Sequence, residues 1–183
     1  MKKVVLLGDS IRLIGYGLKV PELLGSDFEV WQPEDNCRYS AYGFRMVIDF
    51  KDKIEGADII HWNNGLWDLI DELGDGPFSS VETYVANMKR IAANLLKLGK
   101  KVIFATITPV TAAHYGIKNE NVAKYNAAIV PVLKEMGIII NDLNAFVTPN
   151  IETFIRKDDN IHLTDEGIDA CAKEVADFIK ANI

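Results

Sequence analysis

Short apolar runs and stretches of helical periodicity alternate along the chain. The runs 3–7, 28–31, 58–62, 101–106 and 138–141 are rich in Val, Ile and Leu and are bounded by Gly, Asp or Pro. Such runs predict strands covered on both faces, as in a parallel sheet. Between them, apolar residues recur at spacings of three and four. Val81, Tyr84, Val85, Met88, Ile91, Ala92, Leu95 and Leu98 trace one helix face, with Ser79 and Glu82 as a capping box and Gly99 as the stop. Val122, Tyr125, Ile129, Val132, Leu133 and Met136 trace a second, closed by Gly137. A third helix follows Thr164, with Ile168, Ala172, Val175, Phe178 and Ile179 on one side. Strands alternating with helices imply βαβ units. The pattern therefore predicts an α/β fold: a flavodoxin-like three-layer α/β/α sandwich with about five parallel strands. The strand order 2-1-3-4-5 is expected by analogy with that architecture.

Composition narrows the function classes. At 183 residues the chain fits one domain, 1–183, with room for a sizeable core. Its net charge of −6 and the lack of any basic run argue against nucleic acid or an anionic membrane as partner. Cys37 and Cys171 have no metal-like spacing and read as free thiols of a reducing compartment. The apolar stretch after Lys2-Lys3 ends at Gly8-Asp9, too short for a signal peptide, and no run approaches membrane-spanning length. A cytoplasmic protein is expected.

Candidate chemistry begins at Gly8-Asp9-Ser10, directly after the first apolar run. A turn leaving the first strand of such a sheet opens into the crevice where α/β folds bind ligands. The chain lacks Gly-x-Ser-x-Gly, so it has no nucleophile elbow. It does carry Asp159-Asn160-Ile161-His162 after the last strand and just before the last helix, a position that can return to the same sheet edge. In that pattern His162 would accept the proton of Ser10. Asp159 would fix the imidazole tautomer and stabilise the imidazolium. Taken singly, each motif reads as a turn or cap; their topology joins them.

Gly8-Asp9-Ser10, an Asn-containing block after the third strand and the closing stretch DNIHLTDEG (159–167) resemble the SGNH (GDSL-type) hydrolases. The resemblance spans essentially the whole chain, with a second block near 36–43 and a third at 61–68. It implies a catalytic Ser10, Asp159 and His162, no cofactor, and a small-molecule ester as substrate. It also implies an oxyanion hole built from the Ser10 N–H, a block-two backbone N–H and a block-three Asn. Block two places Ala41 where the family usually has Gly. Block three has Trp67 where Asn is usual, but Asn63-Asn64-Gly65-Leu66 looks like a subset with Asn-x-Gly-Leu. Asn63 is the first choice as oxyanion donor and Asn64 the second, since a strand's period of two lets only one face the crevice. The family includes acetylesterases of carbohydrates, lysophospholipases, thioesterases and acyltransferases. A short acyl group is expected, because the chain carries no large insertion for a lipid.

Several other residues need a reading. His61 reads as a core or supporting histidine. His114 falls in a loop and is expected at the surface, where that loop can border the pocket. Arg12 and Arg38 are candidates to grip an anionic substrate group, against plain surface solvation. Trp31 and Trp62 read as core, and Trp67 as the tryptophan that lines the site. Two readings from other classes remain. One is a metal-dependent hydrolase with Asp9, Asp159 and His162 as ligands, although no paired-His spacing supports it. The other is a non-catalytic flavodoxin-like binding module.

Overall fold

The computed structural model describes residues 1–183. Five strands, β1 (Lys2–Leu7), β2 (Phe28–Trp31), β3 (Ala57–Trp62), β4 (Gly99–Ala105) and β5 (Ile139–Asn141), form one parallel sheet in the order β2-β1-β3-β4-β5. This is the expected architecture and strand order. The helices are α1 (Ser10–Leu13), α2 (Val20–Leu24), α3 (Ser40–Asp49), α4 (Lys51–Ile54), α5 (Leu66–Leu69), α6 (Val81–Leu98), α7 (Asn119–Glu135), α8 (Leu143–Val147), α9 (Ile151–Phe154) and α10 (Asp165–Ala181). The helices α3 and α7 pack against α6, and α10 packs against α2.

The sheet holds because its central strands are apolar on both faces. Val4, Val5, Leu6 and Leu7 are fully buried, as are Ile59, Ile60, Val102, Ile103 and Phe104. Each such side chain contributes about 1.5–3 kcal/mol through removal from water. The helix periodicity translates directly into burial: Tyr84, Met88, Ile91, Ala92 and Leu95 of α6 face the core, as do Val122, Tyr125, Ile129 and Leu133 of α7. Gly137 takes φ +86° just after α7, a left-handed turn that glycine adopts without strain.

One cap differs from expectation. Ser80, not Ser79, caps α6, its Oγ accepting from Thr83 N–H at 3.2 Å. Ser79 is held by the tertiary structure instead: its N–H donates to Asp68 O, and its carbonyl accepts from Tyr125 Oη. No helix is long and apolar enough to cross a membrane.

Topology places the chemistry. In the register of β1 and β3, Leu7 lies opposite Trp62. Gly8-Asp9-Ser10 and Asn63-Asn64 therefore leave the sheet side by side. From β1 the order runs to β2 on one side and to β3 on the other, which opens a crevice at the strands' carboxyl ends.

Candidate active site

Ser10 is the first residue of α1, so its N–H has no partner inside that helix. The turn before it is fixed from three directions. Asp9 caps α1, its Oδ1 accepting from Ile11 N–H at 2.9 Å. The Cys37 N–H donates to Gly8 O at 3.0 Å, and Gly8 N–H points at Cys37 Sγ at 3.3 Å. Arg12 Nη2 donates to the same Gly8 carbonyl at 3.1 Å. Gly8 is glycine for a reason of space: a Cβ there would lie 1.9 Å from Asn63 Oδ1.

Asp159 and His162 arrive on a loop between α9 and α10. That loop is closed by an antiparallel bridge between Ile155 and Leu163 and by Arg156 N–H donating to His162 O at 2.8 Å. Asn160 sits at φ +65°, a left-handed position that Asn tolerates. It is held there by Thr111, whose Oγ1 and N–H donate to Asn160 Oδ1 and Asn160 O at 2.6 and 3.0 Å. The result brings Ser10, His162 and Asp159 into one line. Ser10 Oγ lies 2.9 Å from His162 Nε2, and His162 Nδ1 lies 2.9 Å from Asp159 Oδ2. Asp159 Oδ1 accepts the N–H groups of His162 and Ile161 at 3.0 and 3.1 Å. Desolvation pushes the Asp159 pKa up, but those N–H groups and the adjacent imidazole outweigh it and bring the pKa to about 2. An ionised Asp159 accepts a hydrogen bond from the Nδ1–H of His162, which leaves Nε2 as the acceptor facing Ser10.

The two asparagines are not equivalent. Asn64 Nδ2 donates to Arg38 O at 2.7 Å and, more weakly, to Cys37 O at 3.4 Å, while its Oδ1 accepts from Trp62 Nε1. Both of its amide protons are therefore committed. Asn63 Nδ2 spends one proton on Asp9 Oδ1 at 2.7 Å, and its Oδ1 accepts from Tyr16 Oη at 2.9 Å. Its second amide proton has no partner in the protein. Neither amide is among the side chains that wall the cavity. Tyr16 Oη also lies 3.4 Å from His61 Nδ1. Burial drives the His61 pKa down to about 3, so the ring is neutral and supports Asn63 from behind.

The expected block-two donor is the backbone N–H of Ala41, which no group of the protein accepts. Ala41 lies in the first turn of α3, exposed and away from the cavity wall, because Ser40 just before it is anchored to Asp68. The Ser40 N–H and Oγ donate to the Asp68 carboxylate at 2.8 and 2.7 Å. Arg12 and Arg38 do not line the site either. Arg12 is fully buried and donates to the carbonyls of Pro33, Asp35 and Gly8, so its charge serves the backbone rather than a ligand. Arg38 lies over the Tyr42 ring at 4.8 Å and pairs with Asp35 at 4.0 Å. The metal reading fails on the donor set. Asp9 Oδ1 is taken by Ile11 and Asn63, and no group of three His, Cys, Asp or Glu side chains converges as ligands would.

A cavity of about 650 Å³ opens over Ser10, Asp159 and His162. Trp67 is on its wall, as expected, together with Tyr39, Phe78 and Tyr115. No Lys or Arg lines it, and Glu72 does. His114 lines it too, but it is 4% exposed rather than at the surface. Sequence reading undervalued this residue, because nothing periodic marks a single imidazole in a loop. The one available signal was the Gly116-Ile117 turn that wraps it.

No family model matches the chain, and no curated protein matches it. Solved structures do resemble it. A lipase/acylhydrolase from Enterococcus faecalis superposes with a TM-score of 0.77 at 20% identity, covering 99% of this chain and 96% of that one. The acetylxylan esterase Axe2 from Geobacillus stearothermophilus gives 0.76 at 14% identity, with 99% and 94% covered. An inhibitor-bound aryl esterase from M. smegmatis gives 0.78 at 12% identity over the whole of both chains. The likeness establishes the fold. At these identities it leaves the chemistry to be argued from the side chains.

Proposed function

We propose that the protein is a serine ester hydrolase of the SGNH (GDSL-type) kind, acting on a small acyl ester. The observation that carries this reading is the unbroken line from Ser10 Oγ through the His162 ring to Asp159, at 2.9 Å per link, on the floor of a cavity. In this mechanism Ser10 Oγ attacks the ester carbonyl while His162 Nε2 takes its proton. The resulting imidazolium is held by Asp159. It returns the proton to the leaving alcohol oxygen as the tetrahedral intermediate collapses to an acyl-enzyme. Water, deprotonated by His162, then attacks the acyl carbon, and the carboxylic acid leaves as Ser10 recovers its proton. The oxyanion donors are the Ser10 N–H and the uncommitted Nδ2 proton of Asn63. Asn64 is set aside because both of its amide protons are already used.

The structural neighbours named as esterases and acylhydrolases support the ester class, and the acetylxylan esterases among them point to acetyl groups on carbohydrate. A cavity without Lys or Arg favours an uncharged alcohol part over a phosphorylated or carboxylated one. The same feature weighs against a module that holds phosphate at the strand-one turn.

The decisive experiment combines a serine-directed fluorophosphonate, EDTA and p-nitrophenyl acetate. Labelling at Ser10, its loss in Ser10→Ala, and hydrolysis indifferent to EDTA are expected. An unlabelled protein with EDTA-sensitive activity, or one with neither label nor activity, overturns the reading.

A further inference from the structure

His114 is a buried titratable group that the proton relay does not use. Its Nδ1 accepts two backbone N–H groups, from Ile117 at 3.0 Å and from Gly116 at 3.2 Å. A nitrogen that accepts carries no proton, so the neutral ring is held as the Nε2–H tautomer. Burial lowers the His114 pKa, which keeps the ring in that neutral form. Nε2–H has no acceptor within the protein, and the residue forms part of the wall of the cavity over Ser10. The ring is further fixed by stacking on Tyr115, with centroids 5.1 Å apart and planes 9° from parallel. The result is a donor held rigidly at the cavity wall and left free by the protein.

Its position says which part of a substrate it meets. The His114 loop is tied to the His162 loop by the two Thr111–Asn160 hydrogen bonds. His162 delivers its proton to the leaving oxygen, so the alcohol part of the ester lies on the His162 side. In the proposed mechanism the carbonyl oxygen turns instead to the Ser10 N–H and Asn63. We infer that His114 Nε2–H hydrogen-bonds an oxygen of the leaving alcohol, a hydroxyl or ether group close to the scissile ester, and so selects esters of polyhydroxylated alcohols over esters of simple alkanols. This rests on the ester-hydrolase reading of the same site. An alkanol that displaces water from this donor leaves it unpaired, a cost that a matched oxygen removes.

The test compares glycerol monoacetate with propyl acetate. In His114→Asn, Oδ1 can stand in for Nδ1 as acceptor for the 116–117 turn, while the Nε2–H donor is lost. In His114→Gln, the longer amide can restore a donor near the Nε2 position. His114→Asn is expected to lose about ten-fold in kcat/KM on glycerol monoacetate and little on propyl acetate, with partial recovery in His114→Gln. Equal loss on both esters, or loss on neither, overturns the assignment. A second readout does not depend on turnover. In Ser10→Ala, glycerol is expected to shift the His114 Nε2 resonance in ¹⁵N NMR, and an unmoved resonance at saturating glycerol overturns the inference. Should the wild type cleave neither ester, the hydrolase reading falls, and the glycerol titration alone decides whether His114 binds a polyol oxygen.

Discussion

Asp9 stands beside Ser10 with a carboxyl group that burial makes costly to ionise. Its pKa is raised to about 6 by desolvation, against the opposing pull of the Ile11 N–H, Asn63 and Arg12. An aspartate ordinarily titrates at 3.8. A folded pKa above the unfolded one means that the native state binds the proton more tightly. The neutral acid is therefore favoured in the fold, and this contribution to stability is lost as pH rises from about 4 through about 6. A shift of about two pH units corresponds to about 3 kcal/mol. Asp9→Asn keeps an oxygen to accept from Ile11 and Asn63, and it never ionises. The prediction is a pH-dependent difference. At pH 4 the variant and the wild type should unfold in urea at similar free energies, and at pH 8 the variant should be the more stable by about 2–3 kcal/mol. Taking the difference between the two pH values cancels any fixed penalty of placing an amide NH₂ in that spot. A variant that shows the same offset at both pH values refutes the argument that ionisation of Asp9 is what costs stability.

Four further outcomes follow from the same geometry. Asp159→Asn presents an NH₂ to His162 Nδ1 and forces the wrong tautomer, so kcat for p-nitrophenyl acetate should fall by roughly 10³–10⁴-fold while KM changes little; a loss under ten-fold would sink the assignment of Asp159. Asn63→Ala should lower kcat by roughly 10²–10³-fold. Asn64→Ala should instead show its main effect in urea unfolding, by about 1–3 kcal/mol, because Arg38 O and Trp62 Nε1 lose their partner. Arg12→Met leaves the carbonyls of Pro33 and Asp35 without donors and that of Gly8 with the Cys37 N–H alone. It should destabilise by roughly 3 kcal/mol or more in the same assay, and an unchanged midpoint would contradict the role given to the buried guanidinium.

Much of this architecture is legible in the sequence, for a physical reason. A strand such as Val4-Val5-Leu6-Leu7, buried on both faces, and a helix such as α6, with its apolar residues three and four apart, write their environments into local patterns. The line from Ser10 to His162 was equally legible, because each member sits where a turn leaves a regular element. Hydrogen bonds between distant loops leave no such trace. Nothing in the neighbourhood of Arg12 announces that three carbonyls from two segments will surround its guanidinium. The choice between Asn63 and Asn64 depends on which carbonyls surround them, Arg38 O and Cys37 O in the one case and none in the other. Nor does the sequence around Ala41 show that Asp68, far along the chain, anchors Ser40 and sets where α3 begins.

The hydrogen bond between Ser10 and His162 joins residues 152 positions apart. His162 sits on the loop that leads into α10, and α10 packs against α2. In the proposed mechanism, a chain with only the β1 turn formed would display Ser10 without the imidazole that takes its proton. Reactivity would then require both regions of the chain to be in place. Covalent labelling of Ser10 during refolding would serve as a clock for closure of the whole chain, reporting the moment at which its two ends meet.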